Sequence, residues 1–455
     1  MEKRRLWSGA SLKKIQTDLT PLVDFQEKGM SLEVLSELIE KQLIPHLMNY
    51  DHPAFQSLFN FYPEKGAKFG AKIALDYNQG VTNWQVSPGA VMLEELCCKA
   101  LCELFKLSPN SDATFFYSGT YSNQSAMYLA LHWTAEQKYS FNFAEKGIQG
   151  FSDPTRLGIV TSQDAHFSLK HALRIMGLGE RSLITVPVDE NRRINVELLE
   201  NTLNKLQETK DVFSVVVTAG TTSTGSVDPI LPIAEICNNL GIWLHVDAAY
   251  GFAYSLVPEL ESLFSGKEQA DSITWDPHKQ FGVPIPSSLL FVKRKEDFKR
   301  MAIYGNYFNR EGDPEPNPGL KSPPTTRPFS ALPLVTSIRF LGIKKVIERL
   351  RKPIKAIKTA YEELKNETDV ELFHKPDLGI LCLRMIPEGI PEVQLNHLQQ
   401  NIYDRIKAEG KRSISLTKLD NKTVLRFVVL NLNVTSDAIL ETVEYIRSLT
   451  KDYQK

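Results

Sequence analysis

The sequence is poor in cysteine. Its five cysteines are Cys97, Cys98, Cys102, Cys237 and Cys382. An odd number without a paired CxxC spacing argues against both a disulfide framework and a zinc site, so we expect no metal centre. Buried thiols in a cytoplasmic protein are the resulting prediction.

Long apolar runs and an excess of one charge are also absent. No run approaches the roughly 18–20 apolar residues that a helix needs to cross a bilayer. The 53 basic and 54 acidic residues give a formal net charge of −1, which argues against nucleic acid or a membrane surface as a partner. The first residues, MEKRRLWSGASLKK, are basic but lack the apolar core of a secretory signal.

The chain is long enough for two or three domains, and its patterns indicate three segments. Residues 1–75 are predicted to form a helical N-terminal segment. Residues 76–335 are predicted to form a large α/β domain. Residues 336–455 begin with a long helical run and continue with the strand-like GILCLRMI and TVLRFVVLN. This pattern predicts a small C-terminal α+β domain.

The middle segment alternates short apolar strands with helices. Because the strand-like segments are apolar throughout, they are typical of strands buried on both faces of a parallel or mostly parallel sheet. They are ATFFYS, RLGIVTS, SLITVPV, VFSVVVTAG, GIWLHVDAA, DSITW and SSLLFVK. A stretch rich in proline, glycine and charge follows at 309–328. Its polarity and length predict an unpacked linker or active-site lid.

Two charged residues lie at or shortly after the ends of buried strands. Lys279 comes after Asp276, Pro277 and His278, and ligands bind at the carboxyl ends of the strands in open α/β sheets. A lysine there can be desolvated into a nucleophilic amine, although most lysines are simply exposed. Asp247 ends the strand GIWLHVD, where a buried carboxylate needs a cationic partner or caps a helix.

Polar turns follow the other strands. The turn Ser118-Gly119-Thr120 precedes a helix, and its N–H groups and hydroxyls suit a phosphate or serve only as a cap. Thr221 and Thr222 add hydroxyls after another strand. His166 stands between a strand and a helix, where its ring either stacks on an aromatic cofactor or lies on the surface.

Taken together, these motifs resemble the pyridoxal-phosphate-dependent amino-acid decarboxylases, the group containing glutamate, aromatic-amino-acid and cysteine-sulfinate decarboxylases. The likeness extends from about residue 45 to 445, and HVDAAYG and DPHK show the family's spacing of 32 residues from Asp247 to Lys279. It implies the fold type I architecture of aspartate aminotransferase, with a mostly parallel seven-stranded sheet. It also implies pyridoxal 5'-phosphate as cofactor, an amino acid as substrate, and a homodimer with the site at its interface.

The resemblance also implies roles for individual residues. Lys279 forms the Schiff base, Asp247 pairs with the pyridine nitrogen, and His166 and Ala249 lie on the two faces of the ring. Further cofactor contacts are implied for Ser118, Gly119, Thr120, Thr222 and His278. Arg426 is implied to hold the substrate carboxylate, while Trp84 and Phe55 are candidates for the substrate pocket.

The sequence departs from the family pattern at two places. The usual Gly-Gly turn is Ser118-Gly119 here. The loop tyrosine that protonates the substrate's α-carbon falls one residue short of its usual distance from the lysine, so Tyr307 and Phe308 compete for that position. If Phe308 occupies it, the product is an aldehyde instead of an amine. The motifs are also compatible with a carbon–carbon lyase, or with a cofactor-free scaffold protein descended from such enzymes.

Overall fold

The structure, a computed structural model, describes residues 5–305 and 309–453. The described strands are β1 Asp112–Phe116, β2 Leu157–Ser162, β3 Leu183–Val186, β4 Asp211–Thr218, β5 Trp243–Asp247, β6 Ser272–Trp275, β7 Ser288–Val292, β8 Val370–Leu372, β9 Ile380–Met385, β10 Ser415–Leu419 and β11 Lys422–Val428. The described α-helices are α1 Leu12–Leu19, α2 Leu32–Gln42, α3 Lys65–Tyr77, α4 Pro88–Leu104, α5 Gly119–Tyr139, α6 Phe143–Lys146, α7 Ser168–Ile175, α8 Val196–Leu206, α9 Ile230–Leu240, α10 Pro277–Gln280, α11 Ala331–Leu341, α12 Ile343–Leu364, α13 Glu392–Glu409 and α14 Ser436–Tyr453.

The chain forms two compact units. The larger unit comprises Phe61–Arg351, and the smaller unit combines the residues up to Asn60 with those from Lys352 on. These divisions differ from the predicted boundaries after residues 75 and 335, because α3 packs along α11 within the larger unit. At Gly70 of α3 an added Cβ would lie 2.2 Å from Oγ1 of Thr336 on α11, so the two helices approach more closely than a side chain would allow.

The larger unit is built on a seven-stranded sheet with the order β1-β7-β6-β5-β4-β2-β3. Strands β3, β2, β4, β5 and β6 are parallel to one another, while β7 runs antiparallel to both β6 and β1. Strands β2, β5 and β7 are buried along their whole length, because helices cover both faces. The predicted mostly parallel seven-stranded α/β sheet is confirmed.

The smaller unit contains a four-stranded antiparallel sheet with the order β10-β11-β9-β8. Its core joins apolar residues of β9 and β11 to those of α12, α13 and α14. The N-terminal residues belong to this unit as well: Phe55 pairs with Ser413 in a β-bridge, and Gln56 Nε2 donates to the carbonyl of Ala438 at 2.9 Å.

The polar stretch 309–328 is anchored, which corrects the prediction that it is too polar to pack. Lys321 Nζ lies 2.7 Å from both Glu95 and Asp112. Arg327 forms a 2.7 Å ion pair with Glu94 of α4, and both side chains are 1% exposed. Charge in this stretch is therefore paired with charge on the sheet and on α4.

All five cysteines are buried and free. Within residues 5–305 and 309–453, no helix is both long and apolar enough to cross a membrane. The same residues contain no cluster of three or more histidine, cysteine or acidic side chains arranged to hold a metal ion.

Candidate active site

The predicted site residues of the larger unit meet at one edge of the seven-stranded sheet. Strands β2, β4, β5 and β6 run parallel, so their carboxyl ends lie side by side. Strand β1 is antiparallel to β7, and β7 is antiparallel to β6. Strand β1 therefore runs in the same direction as β6 and ends at the same edge. A cavity at this edge follows from the topology.

The side chains around this cavity include most of the predicted cofactor positions. It is lined by Ser118, Gly119, Thr120, Asn123, His166, Thr218, Gly220, Thr222, Asp247, Ala249, Tyr250, Asp276 and Lys279. Eight of these were predicted from sequence motifs.

Lys279 stands on the short helix α10, directly after β6. Pro277 cannot continue the ladder of β6 and is favoured in the first turn of a helix, so the chain turns there and presents Lys279 at the sheet edge. Lys279 Nζ lies 3.1 Å from Oδ2 of Asp276, whose side chain is 3% exposed. The amine thus sits partly desolvated beside a buried carboxylate.

Asp247 ends β5 and is 5% exposed. Its Oδ2 accepts a hydrogen bond of 2.8 Å from Nδ2 of Asn123, and its Oδ1 accepts one of 3.2 Å from the backbone N–H of Ala249. Both of these donors are neutral. Because a buried carboxylate is normally paired with a positive charge, a cationic group that enters the cavity would be stabilised beside Asp247.

His166 follows β2 and precedes α7. Its Nδ1 accepts a hydrogen bond from the backbone N–H of Ser168 at 3.2 Å. Burial lowers the pKa of His166 below its ordinary value, although the nearby Asp247 carboxylate opposes that effect. A neutral imidazole at neutral pH suits stacking on a flat ring.

The turn after β1 leads into α5, a helix of 21 residues. The first backbone N–H groups of a helix have no acceptor within it and attract anions. An added Cβ at Gly119 would lie 2.8 Å from Oδ2 of Asp276 and 3.2 Å from Cβ of Ala249. Glycine is therefore needed here because neighbouring groups approach the backbone closely.

Two predicted residues of the larger unit lie outside the cavity lining that the described residues form. His278 is half-buried behind Lys279, where its Nδ1 contacts the carbonyl of Ser287 and its Nε2 lies 3.8 Å from Oδ2 of Asp276. Burial lowers the pKa of His278. Trp84 lies in the turn before α4 and is 38% exposed.

Two further predicted residues belong to the smaller unit. Arg426 of β11 is buried, donates to Oγ of Ser415 at 2.9 Å, and places its guanidinium carbon 5.1 Å from the ring centre of Phe59. Phe55 is buried against Tyr50. Their roles toward a substrate stay predictions. Tyr307 and Phe308 lie outside the described residues.

Sequence reasoning missed five residues of the cavity lining, which are Asn123, Thr218, Gly220, Tyr250 and Asp276. Four of them lie inside segments that the sequence singles out for other reasons, namely DPHK, HVDAAYG and VFSVVVTAG. Asn123 is the fifth residue of α5, and a polar residue near the start of a helix suggests no function by itself. The one available signal was its proximity in sequence to the predicted phosphate turn.

The residues present fit pyridoxal phosphate. A buried carboxylate, a partly buried lysine, a helix start and a neutral imidazole all face one cavity. Two buried oxygens of its lining, Oδ1 of Asp276 and Oγ1 of Thr218, have no hydrogen-bond partner among the described residues. Such polar atoms are normally satisfied, so a polar ligand is expected beside them.

Fold and site together define a pyridoxal-phosphate enzyme of α/β architecture. The chain belongs to the pyridoxal-dependent decarboxylases, because the family's conserved domain matches residues 16–386. It is therefore an enzyme that uses pyridoxal phosphate to convert an amino acid to an amine and carbon dioxide.

Individual relatives agree with this family over nearly the whole chain. An L-2,4-diaminobutyrate decarboxylase of Acinetobacter baumannii is 29% identical over 452 residues, which cover 96% of this chain and 88% of that protein. An aromatic-L-amino-acid decarboxylase of Bacillus atrophaeus is 25% identical over 435 residues, covering 94% of this chain and 87% of the relative.

A solved structure shows the same fold. It is the glutamate decarboxylase domain of diaminobutyrate-pyruvate transaminase and L-2,4-diaminobutyrate decarboxylase from Vibrio parahaemolyticus. It superposes with a TM-score of 0.89 at 25% identity and covers 99% of this chain and 92% of that chain.

Proposed function

We propose that Lys279, Asp247 and His166 form the centre of the decarboxylating site. The observation that supports this proposal is that all three side chains face one cavity at the carboxyl edge of the sheet. The fold determines this convergence, because the three residues come from three different strand ends.

When bound, pyridoxal phosphate supplies an electron sink for the electron pair left on the α-carbon as carbon dioxide departs. Lys279 would hold the cofactor covalently through Nζ and exchange with the substrate amine. Asp247 would keep a proton on the pyridine nitrogen, because a buried carboxylate stabilises the cationic form. His166 and Ala249 would enclose the ring, and the N–H groups at the start of α5 would bind the phosphate.

Other roles complete the proposal. Ser118, Gly119 and Thr120 would contact the phosphate, Thr222 would lie near the polar edge of the ring, and His278 would contact phosphate or substrate. Arg426 would bind the substrate carboxylate, since a planar guanidinium can donate two parallel hydrogen bonds to it. Trp84 and Phe55 stay as candidates for the substrate pocket.

For the substrate we propose L-2,4-diaminobutyrate. The support is the bacterial relative of that name, which aligns with 96% of this chain. The test is to measure carbon dioxide and amine from a panel of L-amino acids with saturating pyridoxal phosphate. The expected result is the highest kcat/KM for L-2,4-diaminobutyrate. A higher kcat/KM for an aromatic or an acidic amino acid would overturn the substrate proposal and leave the decarboxylase unchanged.

Tyr307 is the proposed proton donor to the α-carbon. Tyr307→Phe should still release carbon dioxide but slow the formation of amine, since general-acid catalysis contributes on the order of 10²-fold or more. The unprotonated α-carbon should then react with oxygen, which is reduced to hydrogen peroxide, and aldehyde and ammonia should be released. Parallel assays of carbon dioxide, amine and aldehyde distinguish these products.

Phe308→Tyr is the matched control for this loop. It should change the product ratio little, because the donor is already present at the neighbouring position. Amine formation by Tyr307→Phe at the parent rate would show that the donor lies elsewhere. An unmodified enzyme that releases mainly aldehyde would assign the position to Phe308 and favour an aldehyde synthase.

We also propose a homodimer, supported by exposed apolar side chains on the N-terminal helices. Neither α1 nor α2 has a buried residue. Even their apolar side chains are exposed, with Leu12 at 85% and Leu32 at 79%. Short amphipathic helices are marginal without tertiary packing, and apolar surface of this kind marks interaction sites. A second copy of the chain that covers these helices would remove the apolar side chains from water.

The dimer is tested by sedimentation equilibrium, with twice the 51.5 kDa mass of the chain as the expected result. Leu12→Asp combined with Leu32→Asp should shift the equilibrium toward monomer. Val393→Asp is the control, because Val393 on α13 is equally exposed, at 87%, but lies outside the N-terminal helices. A monomeric parent would contradict the proposal.

A cytoplasmic location is the remaining proposal. Its support is that all five cysteines are free, as is usual in reducing compartments.

A further inference from the structure

A buried chain of hydrogen bonds runs from Asp247 into the core of the sheet. Asn123 Nδ2 donates to Oδ2 of Asp247 at 2.8 Å, and Asn123 Oδ1 lies 3.0 Å from Nε2 of His245. The other nitrogen of the His245 imidazole, Nδ1, lies 2.9 Å from Oγ of Ser272. Trp243 Nε1 donates to the same hydroxyl at 2.9 Å.

The fold explains why these groups meet. Trp243, His245 and Asp247 alternate along β5, so they share one face of the strand. Ser272 is the register partner of His245 on the neighbouring strand β6. Asn123, the fifth residue of α5, then connects the side chains of His245 and Asp247, which lie two positions apart on β5.

The donors and acceptors define a single arrangement of protons. Because an ionised carboxylate only accepts hydrogen bonds, Asn123 must turn its Nδ2 toward Asp247 and its Oδ1 toward His245. His245 must then carry its proton on Nε2, and its Nδ1 must accept from the hydroxyl of Ser272. The ring is neutral at neutral pH, because burial lowers the pKa of His245 to about 4.

Asn123 also connects the two proposed ring contacts of the cofactor. Its second Nδ2 hydrogen points to Oγ of Ser168 at 2.9 Å, and the backbone N–H of Ser168 donates to Nδ1 of His166. One amide group therefore contacts both the Asp247 carboxylate and Ser168, whose backbone N–H donates to the imidazole of His166. Asn123, Ser168 and His245 are buried, with Asn123 at 1% and His245 at 0% exposed, while His166 is half-buried at the cavity.

We infer that Asn123 and His245 are positioning residues that hold the Asp247 carboxylate in the orientation and charge state that keep the cofactor's pyridine nitrogen protonated. The inference rests on the proposed role of Asp247. Both residues are proposed to act through Asp247. Their effect is preorganisation: a carboxylate that fixed donors already orient does not have to reorient when its cationic partner binds.

The test uses three substitutions in the full-length holoenzyme. Asn123→Ala removes the donor to Asp247, His245→Leu removes the donor to Asn123 at similar volume, and His245→Gln keeps an amide that can donate and accept. Thr161→Val is the control, because Thr161 on β2 of the same sheet is fully buried and its hydroxyl donates to the carbonyl of Val216 at 2.8 Å.

The decisive measurement is the ¹⁵N chemical shift of pyridoxal phosphate labelled at the ring nitrogen. In the parent and in Thr161→Val the shift should be that of a protonated pyridine. In Asn123→Ala and His245→Leu it should move toward the unprotonated value, and His245→Gln should restore it in part. The dissociation constant of the cofactor should rise about 10-fold in Asn123→Ala, the effect of one hydrogen bond to a charged group. It should rise less in His245→Leu, because that variant loses hydrogen bonds between neutral groups.

The remaining outcomes separate this inference from the proposed function. If Asp247→Ala moves the ¹⁵N shift while Asn123→Ala and His245→Leu do not, the positioning role is wrong and the role of Asp247 stands. If Asp247→Ala leaves the shift unchanged, the proposed role of Asp247 itself is wrong. Should His245→Leu fail to fold, Asn123→Ala and Ser272→Ala carry the test, because each removes only a few atoms.

Discussion

Replacing Lys279 by alanine is expected to lower kcat/KM on the order of 10³-fold, because both covalent binding of the cofactor and proton transfer by the amine are lost. Lys279→Arg should lose a similar amount. Arginine keeps a cation beside Asp276, which lies 3.1 Å from Lys279 Nζ, but it does not supply a neutral amine. Equal losses in the two variants would show that the amine, rather than the ion pair, is essential.

The control for this prediction is Lys293→Ala. Lys293 follows β7 and is half-buried, and its Nζ donates to the carbonyl of Gln269 at 3.2 Å. Its removal should leave kcat/KM within a few-fold of the parent. An active Lys279→Ala enzyme with normal cofactor absorption would contradict the assignment of Lys279.

The second large effect is expected for Asp247. Asp247→Ala should lower turnover on the order of 10²-fold or more, because a charge-assisted partner is lost in a site that excludes water. Asp247→Asn should lose nearly as much, since it keeps the shape of the side chain but removes the negative charge. Single-turnover measurement of carbon dioxide release separates this chemical effect from weaker cofactor binding.

Asp271→Asn is the matched control for Asp247. Asp271 precedes β6 at the opposite edge of the sheet, where it pairs with Arg294 at 2.8 Å and accepts a hydrogen bond from the N–H of Leu244. The variant should lower the thermal stability but not the turnover of the folded holoenzyme. Near-normal turnover in Asp247→Ala would rule out its proposed role.

Much of the larger unit was predictable from the sequence because its strands are apolar on both faces. All seven predicted segments correspond to strands β1 to β7. The antiparallel direction of β7 was not predictable, since a short apolar run contains no information on direction. The close packing of α3 on α11 was also hidden, because Gly70 looks like an ordinary helix-weakening residue until its neighbour Thr336 is known.

The edge strands of the smaller unit were missed for a different reason. Strands β8 and β10 are short and only partly buried, so neither the alternation nor the apolar run of a strand is clear. The anchored stretch 309–328 was misjudged because charge pairing is invisible in sequence. Glu94, the buried partner of Arg327, lies more than two hundred positions away on α4.

The site residues that could be predicted from the sequence are charged side chains near the ends of apolar strands. Asp247 directly follows an apolar run, and Lys279 comes four residues after the end of another, at Trp275. Charge at such positions is unusual and therefore marks them as candidates. Asn123 and His245 are uncharged at neutral pH, and a histidine inside the apolar strand GIWLHVD suggests only a core residue. Their connection requires the register of β5 with β6 and the position of α5 above them.

Reduction of the holoenzyme with sodium borohydride is the most direct test of whether Lys279 carries the cofactor. Reduction fixes the cofactor on the lysine to which it is bound, and mass spectrometry of the digested protein identifies that lysine. We expect one pyridoxyl label, on the peptide that contains Asp276, His278 and Lys279, with Lys279 as the modified residue. A label on any other lysine, with Lys279 unmodified, would contradict it.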